Sequence, residues 1–440
     1  MVELDVPDAE TLADVNDVSI GDFPRLAYAE RRRDSPRVDD VSAATRDAIG
    51  DIPALTDLDE GAEVAVTAGS RGIHDMPELI EAVVAELSER GLDPFVMPAM
   101  GSHGGATPGG QRDVLEGYGI TEERLGCEIR DSMAVEPVAE DSEGRPIPVS
   151  RVALEADAVL VANRVKLHTD FRNEVESGLT KMTVVGLGKQ RGAEEMHNAA
   201  ISRGLDTVIQ ERADAIFEHA PVVGGIALVE NANDRAALIE GVPVGEISDR
   251  EPELLARSKM LFGELPVDHL DLLVVDEIGK DVSGTGMDTN VIGRYQFLNE
   301  EEPALPDITR IYARDVTDAS HGNGIGMGLA DFVHEDLVVQ LNLSDTYVNA
   351  VTSGESSRAF VPIVSPSDRT ALLLAYSITG VRDPEDLRIG YVRSTLHPDE
   401  LYVSDPVADE LAECDDVDVG ERREIEFDDA GDFVFGFEGR

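Results

Sequence analysis

The α/β class of this chain is set by EVAVTAGSRGIHDMPELIEAVVAELSERGLDPFVMPAMGSHGGAT, residues 63–107. Glu63–Ala68 reads as a buried strand, and Gly69-Ser70-Arg71-Gly72 makes a loop. Asp75 is expected to cap a helix, with Pro77 in its first turn and Glu78 three residues after the cap. Leu79, Ile80, Val83, Val84 and Leu87 fall on one face of that helix, and Gly91 ends it. Pro94–Met97 is a second strand, followed by the loop Gly101–Thr107 and another helix through Tyr118. Strand, loop and helix repeated in this way require parallel strands joined by crossover helices. Both loops then lie at the carboxyl ends of strands, where open α/β sheets place ligands.

A third buried strand, Ala156–Ala162, feeds the stretch Lys166–His197. That stretch contains Lys166-Leu-His168-Thr-Asp170-Phe171, Glu176-Ser177-Gly178-Leu-Thr-Lys181 and Gly186-Leu-Gly-Lys189-Gln-Arg-Gly192. The whole chain has five lysines, and three of them are here. Glycine-rich loops with basic residues are a common way to hold an anion. Topology alone therefore puts Arg71, His103 and His168 on one edge of the sheet, each after a strand.

Residues 1–60 read as an edge segment of short elements, in which Arg31-Arg32-Arg33 is expected to be a solvated run. Beyond residue 205 the pattern gives a helix, the strand Pro221–Val229 and a long helix near Pro252–Phe262. Pro266–Leu270 reads as a hinge, and Asp271–Asp276 as a buried strand entering the polar loop Gly279–Asn290, which ends near Arg294. A second glycine-rich loop, His321–Gly328, and a helix at Ser367–Thr379 follow. At 440 residues two domains are expected, 1–265 and 266–440, each with a parallel Rossmann-like sheet and with a ligand cleft between them.

The formal net charge is −52, from 89 acidic and 37 basic residues. This excludes nucleic acid as a default partner and argues against anionic membrane surfaces. With 42% hydrophobic residues the chain still builds a core. Acid spread evenly along a lysine-poor chain points to a salt-rich, halophilic cytoplasm, where screening suppresses self-repulsion. Neither a signal sequence nor an apolar stretch of membrane-spanning length is apparent.

Of nine histidines, His103, His168 and His197 stand out by position. Imidazole serves as a general base near neutral pH or ligates a transition metal. Lys181, approached through small residues, is placed to act as a nucleophile toward a carbonyl or thiocarbonyl carbon, or to hold a phosphate. The residues alone leave three readings open. They are a two-base isomerase, a metal-dependent hydrolase using His103, His168 and His197, and a non-catalytic anion- or nucleotide-binding protein.

Taken together these motifs resemble the lactate racemase family, the nickel-pincer-dependent racemases and epimerases of 2-hydroxyacids. The resemblance rests on Gly101-Ser102-His103 with Thr107, on His168, on Lys181 after Ser177-Gly178, on His197 and on Arg71. It implies a nicotinate-derived nickel-pincer nucleotide attached at Lys181, made by separate cofactor-synthesis enzymes. It further implies His197 on the nickel, Arg71, Ser70 and Gly72 at the cofactor, and His103 and His168 as acid/base groups. The chain departs from the family pattern in three places. No acidic residue precedes Arg71, the gap from His168 to Lys181 is longer, and the family's substrate lysine has no clear counterpart. Lys280, Asp288, Asn290 and Arg294 are the weaker substrate candidates, and the expected substrate is a small-molecule 2-hydroxyacid other than lactate, such as a larger or polyhydroxylated one.

Overall fold

The computed structural model describes residues 6, 18–33, 35–70, 73–169, 171–297 and 301–437, with no side-chain description at 352 and 353. Contacts divide the chain into two compact units. One comprises Ser35–His168 and Arg172–Phe262; the other comprises the described residues before 35, Thr169–Phe171 and the chain from Gly263.

In the first unit the five-stranded sheet runs Asp93–Pro98, Glu63–Ala68, Ala158–Arg164, Val222–Glu230, Ala236–Pro243. The first four strands are parallel, and all were legible as buried runs. The fifth returns antiparallel. Only a short turn separates Glu230 from Ala236, with the Asn231 side chain accepting from the amides of Asn233 and Arg235. A link this short permits a hairpin but no crossover, so one antiparallel edge strand is added to the expected parallel sheet.

The helix Met76–Glu89 buries Leu79, Ile80, Val83, Val84 and Leu87 at 0–2% exposure, the face predicted from its periodicity. Each such burial stabilises by roughly 1.5–3 kcal/mol. Asp75 precedes this helix but makes no capping bond. Its carboxylate accepts instead from the Ala236 amide at 2.7 Å and pairs with Arg235. A partner 161 residues away in sequence has displaced the local cap.

In the second unit the eight-stranded sheet runs Ile363–Ser365, Phe332–His334, Asp307–Val316, His269–Ile278, Ile389–Val392, Glu400–Ser404, Leu26–Arg31, Val417–Arg423. The first five strands are parallel and the last three antiparallel. Leu26–Arg31, near the amino terminus, pairs between two carboxy-terminal strands, so this early segment lies within the second sheet. The expectation that Arg31–Arg33 forms a solvated run holds for Arg32, which is exposed, while Arg31 and Arg33 are partly buried and paired. Arg31 meets Asp416 at 2.7 Å, Arg33 meets Asp399 at 2.7 Å, and Arg33 also donates to the Glu264 carbonyl.

The helix expected from Pro252 starts earlier, at Ile247, and runs to Leu261 with Pro252 inside it. The helix at Asp368–Ser377 is capped by Ser367, whose side chain accepts from the Thr370 amide. Among the described residues no helix is long and apolar enough to cross a membrane.

Candidate functional site

Three adjacent parallel strands of the first unit end at Ala68, Pro98 and Arg164. The loops after them carry Ser70, His103 and His168. His103 is exposed, and its Nδ1 is hydrogen-bonded to the Ser70 hydroxyl. Tyr118 donates to the Ser70 carbonyl at 2.9 Å. Gln111, fully buried, donates to the carbonyls of Gly101 and His103 at 2.9 and 3.3 Å. Gly104, at φ +64°, approaches the backbone at Gly110 so closely that a Cβ would lie 2.5 Å from it. The histidine loop is therefore fixed by backbone contacts, and Thr107 caps the helix that follows by accepting from the Gly110 amide.

The second group is built around His168. The backbones of Lys166 and Ser177 pair with each other and close the intervening segment into a loop. Within it the His168 amide donates to Glu176 Oε2 at 2.7 Å, and Arg172 donates to the His168 carbonyl at 2.7 Å. The Glu176 side chain is fully buried, and its Oε1 pairs with Lys259 at 2.8 Å. Lys181 lies on the helix Leu179–Val185, and its Nζ meets His168 Nε2 directly.

The Lys181 helix begins at Gly178, which supplies no side-chain cap. Glu251, buried to 1% exposure, takes that role: its Oε2 accepts from the Thr180 amide at 2.8 Å and hydroxyl at 2.6 Å. Burial outweighs those bonds and pushes the Glu251 carboxyl up to about 7. Asn163 Nδ2 donates to the Gly178 carbonyl at 3.0 Å.

Lys189, at 1% exposure, donates to the Pro98 carbonyl at 2.5 Å, five residues before His103. Burial pulls its ammonium down to about 8, against the opposing charge of Asp131. His197 is exposed on the helix Lys189–Arg203. The structure thus joins Ser70 with His103 and His168 with Lys181. Arg71 and Gly72, expected at the cofactor, and Asp170 lie outside the described residues.

The second-unit candidates are engaged locally. Lys280 Nζ donates to the Gly284 carbonyl at 2.7 Å. Asp288 caps a short helix by accepting from the Asn290 amide. Asn290 is buried and accepts from the Tyr295 hydroxyl at 3.5 Å. The Arg294 guanidinium pairs with Asp331 at 2.9 Å and donates to the carbonyls of Leu329, Ile308 and Thr309.

Among the described residues, the one cluster with the spacing of a three-ligand metal site is His334, Asp368 and Asp432, not the three histidines chosen from sequence. Asp368 there accepts from Arg314, Tyr312 and the Phe433 amide, which occupies the lone pairs a metal would need. Glu176, Glu251 and Lys259 were not foreseen. For Lys259 a signal was present, because a chain that has otherwise discarded lysine retains it.

No family model and no curated protein matches this chain. Among solved structures it is similar to the lactate racemase apoprotein from Thermoanaerobacterium thermosaccharolyticum. The TM-score is 0.50 at 12% identity, over 87% of this chain and 96% of that one. At that identity the likeness is one of fold, in keeping with the α/β architecture and its parallel strands.

Proposed function

We propose that the chain is a nickel-pincer-dependent racemase or epimerase of a 2-hydroxyacid. The observation that carries this reading is the contact of Lys181 Nζ with His168 Nε2. It brings together an amine suited to covalent attachment and an imidazole suited to proton transfer. The donor set is amine, imidazole and hydroxyl. These residues fit a pyridinium mononucleotide held through a thioamide at Lys181. Ser70, Gly72 and Arg71 would hold its anionic group, and His197 would complete the nickel's coordination. When bound, the group would supply a carbon that reversibly takes hydride from the substrate's α-carbon.

The chain's own residues would then manage the hydroxyl proton. His168 takes it at Nε2 for one enantiomer and His103 takes it for the other. Ser70 Oγ holds the His103 ring at Nδ1 and so orients it. With Lys181 held as a thioamide, its nitrogen would no longer be a basic amine beside His168 Nε2. The fold likeness to a racemase apoprotein supports the same class.

The test is to make the protein together with cofactor-synthesis enzymes and to measure metal and peptide mass on one sample. Nickel near one per chain with a mass increment on the Lys181 peptide is expected. His168→Ala is expected to keep the increment and lose 2-hydroxyacid inversion by about 10²–10⁴-fold. An unmodified Lys181 with zinc bound would instead establish the hydrolase reading.

A further inference from the structure

We infer that the helix Ile247–Leu261 is a brace that sets the Lys181–His168 pair, with Glu251 and Lys259 as positioning residues at its two points of attachment. The inference rests on the proposed function only for why that pair matters; its geometry stands apart. Both attachments begin on one helix; one ends on the Lys181 helix and the other on the His168 loop.

At the first attachment, Glu251 Oε2 accepts from the amide and hydroxyl of Thr180, the residue before Lys181. The fit is close enough that a Cβ at Gly178 would lie 2.2 Å from Glu251 Oε1. Glycine at 178 is therefore required by the carboxylate. A helix of seven residues with no cap of its own has little independent stability, so its first turn is where Glu251 holds it.

The second attachment runs through Glu176. Lys259 Nζ meets Glu176 Oε1 at 2.8 Å, and Glu176 Oε2 accepts from the His168 amide at 2.7 Å. The Glu176 side chain is 0% exposed, so its orientation is fixed by these partners and by Arg172 at 3.3 Å. Glu251 and Lys259 are eight residues apart on one helix, a separation of about 12 Å that the helix holds constant. Neither the His168 loop nor the Lys181 helix can shift without breaking a bond to this common support. Among the described residues Glu251 has no cationic partner to offset its burial, and its carboxyl is raised to about 7. A chain retains such an arrangement at a functional position more readily than for stability alone.

The experiment uses the full chain without cofactor, so that it is independent of nickel. Acetylation by N-hydroxysuccinimide acetate is followed by peptide mass at Lys181, with Lys280 in the other unit as internal reference. The nitrogen resonances of the His168 ring are recorded in parallel. Glu251→Ala and Lys259→Met should each lower the Lys181 to Lys280 labelling ratio by about tenfold and move the His168 signal to that of a solvated imidazole. Glu251→Gln and Lys259→Arg, which keep an acceptor and a cation respectively, should restore both readouts. If Glu251→Ala does not fold, Lys259→Met and Glu251→Gln still decide the matter. An unchanged ratio and an unchanged His168 signal in Lys259→Met would overturn the brace. A chain that never takes up nickel, yet shows these changes, would refute the proposed activity and leave the brace intact.

Discussion

Asp368 in the second unit and Glu251 in the first are both buried carboxylates, at 0% and 1% exposure, and they are treated in opposite ways. Asp368 accepts from Arg314 Nε and Nη2 at 2.8 and 2.6 Å, from the Tyr312 hydroxyl at 2.7 Å and from the Phe433 amide at 2.9 Å. Arg314 also pairs with Asp276, which takes the Tyr391 hydroxyl at 2.8 Å. The guanidinium is held well above its usual range, chiefly by Asp368 together with Tyr391 and Asp276, against the effect of its own burial. Glu251 has hydrogen-bond donors but, among the described residues, no cation. A neutralised network of this kind holds a sheet together, whereas an unneutralised acid at the root of a candidate catalytic lysine is poised to respond to its surroundings.

The contrast is broken most directly at Arg314. Arg314→Met leaves Asp276 and Asp368 buried with their cation removed, and should destabilise the second unit by about 3–5 kcal/mol in chemical denaturation. Labelling of Lys181, on the first unit, should be unaffected. A variant as stable as the parent would mean that the Asp276–Arg314–Asp368 network is not structural, and the distinction would fail.

Glu251→Gln sharpens the contrast through pH. The folded-state value of Glu251, about 7, lies above its ordinary value of 4.5. The folded chain therefore binds the proton more tightly than the unfolded chain. The stability linked to this group is complete below about 4.5 and is lost as pH rises through about 7, a difference of about 3 kcal/mol. Glu251→Gln removes that loss, so unfolding free energies of parent and variant should diverge between pH 4.5 and 8 in favour of the variant. Parallel curves would show that Glu251 stays charged throughout.

Gly178→Ala probes the same contact with a smaller effect. Its Cβ would meet Glu251 Oε1 at 2.2 Å and a Val165 methyl at 3.2 Å, so one of them must move. About 1–3 kcal/mol of destabilisation is expected in thermal unfolding. Glu251→Ala in the same background should relieve most of it, because the clash and the carboxylate disappear together.

These three positions show which parts of the molecule were legible in the sequence. The parallel strands Glu63–Ala68 and His269–Ile278 announced themselves because both faces are buried and the apolar run is continuous. His168 and Lys181 were visible because lysine is scarce and the flanking glycines mark a loop. Glu251 and Glu176 were not, since in a chain with 89 acidic residues no single carboxylate stands out. The strand Leu26–Arg31 was hidden for a different reason: its partners, Glu400–Ser404 and Val417–Arg423, lie more than 360 residues away, and no local pattern encodes that pairing. The expected cap at Asp75 was lost for the same reason, to Ala236.

The smallest effect lies on the surface, where charge is abundant and individually weak. Arg90 pairs with Glu86 at 2.8 Å across one turn at the end of the helix Met76–Glu89. Glutamate four residues before arginine is the favourable order, and the cation also meets the carbonyl end of the helix dipole. Arg90→Ala should therefore cost only about 0.3–0.5 kcal/mol. In a chain of net charge −52 it also removes one of few cations, so the loss should be larger in dilute buffer than in molar salt, where screening acts within about 3 Å. Arg314→Met, buried from solvent ions, should show little of that salt dependence. If both variants respond to salt alike, the interior network is solvated, and the division between neutralised core charge and screened surface charge does not hold.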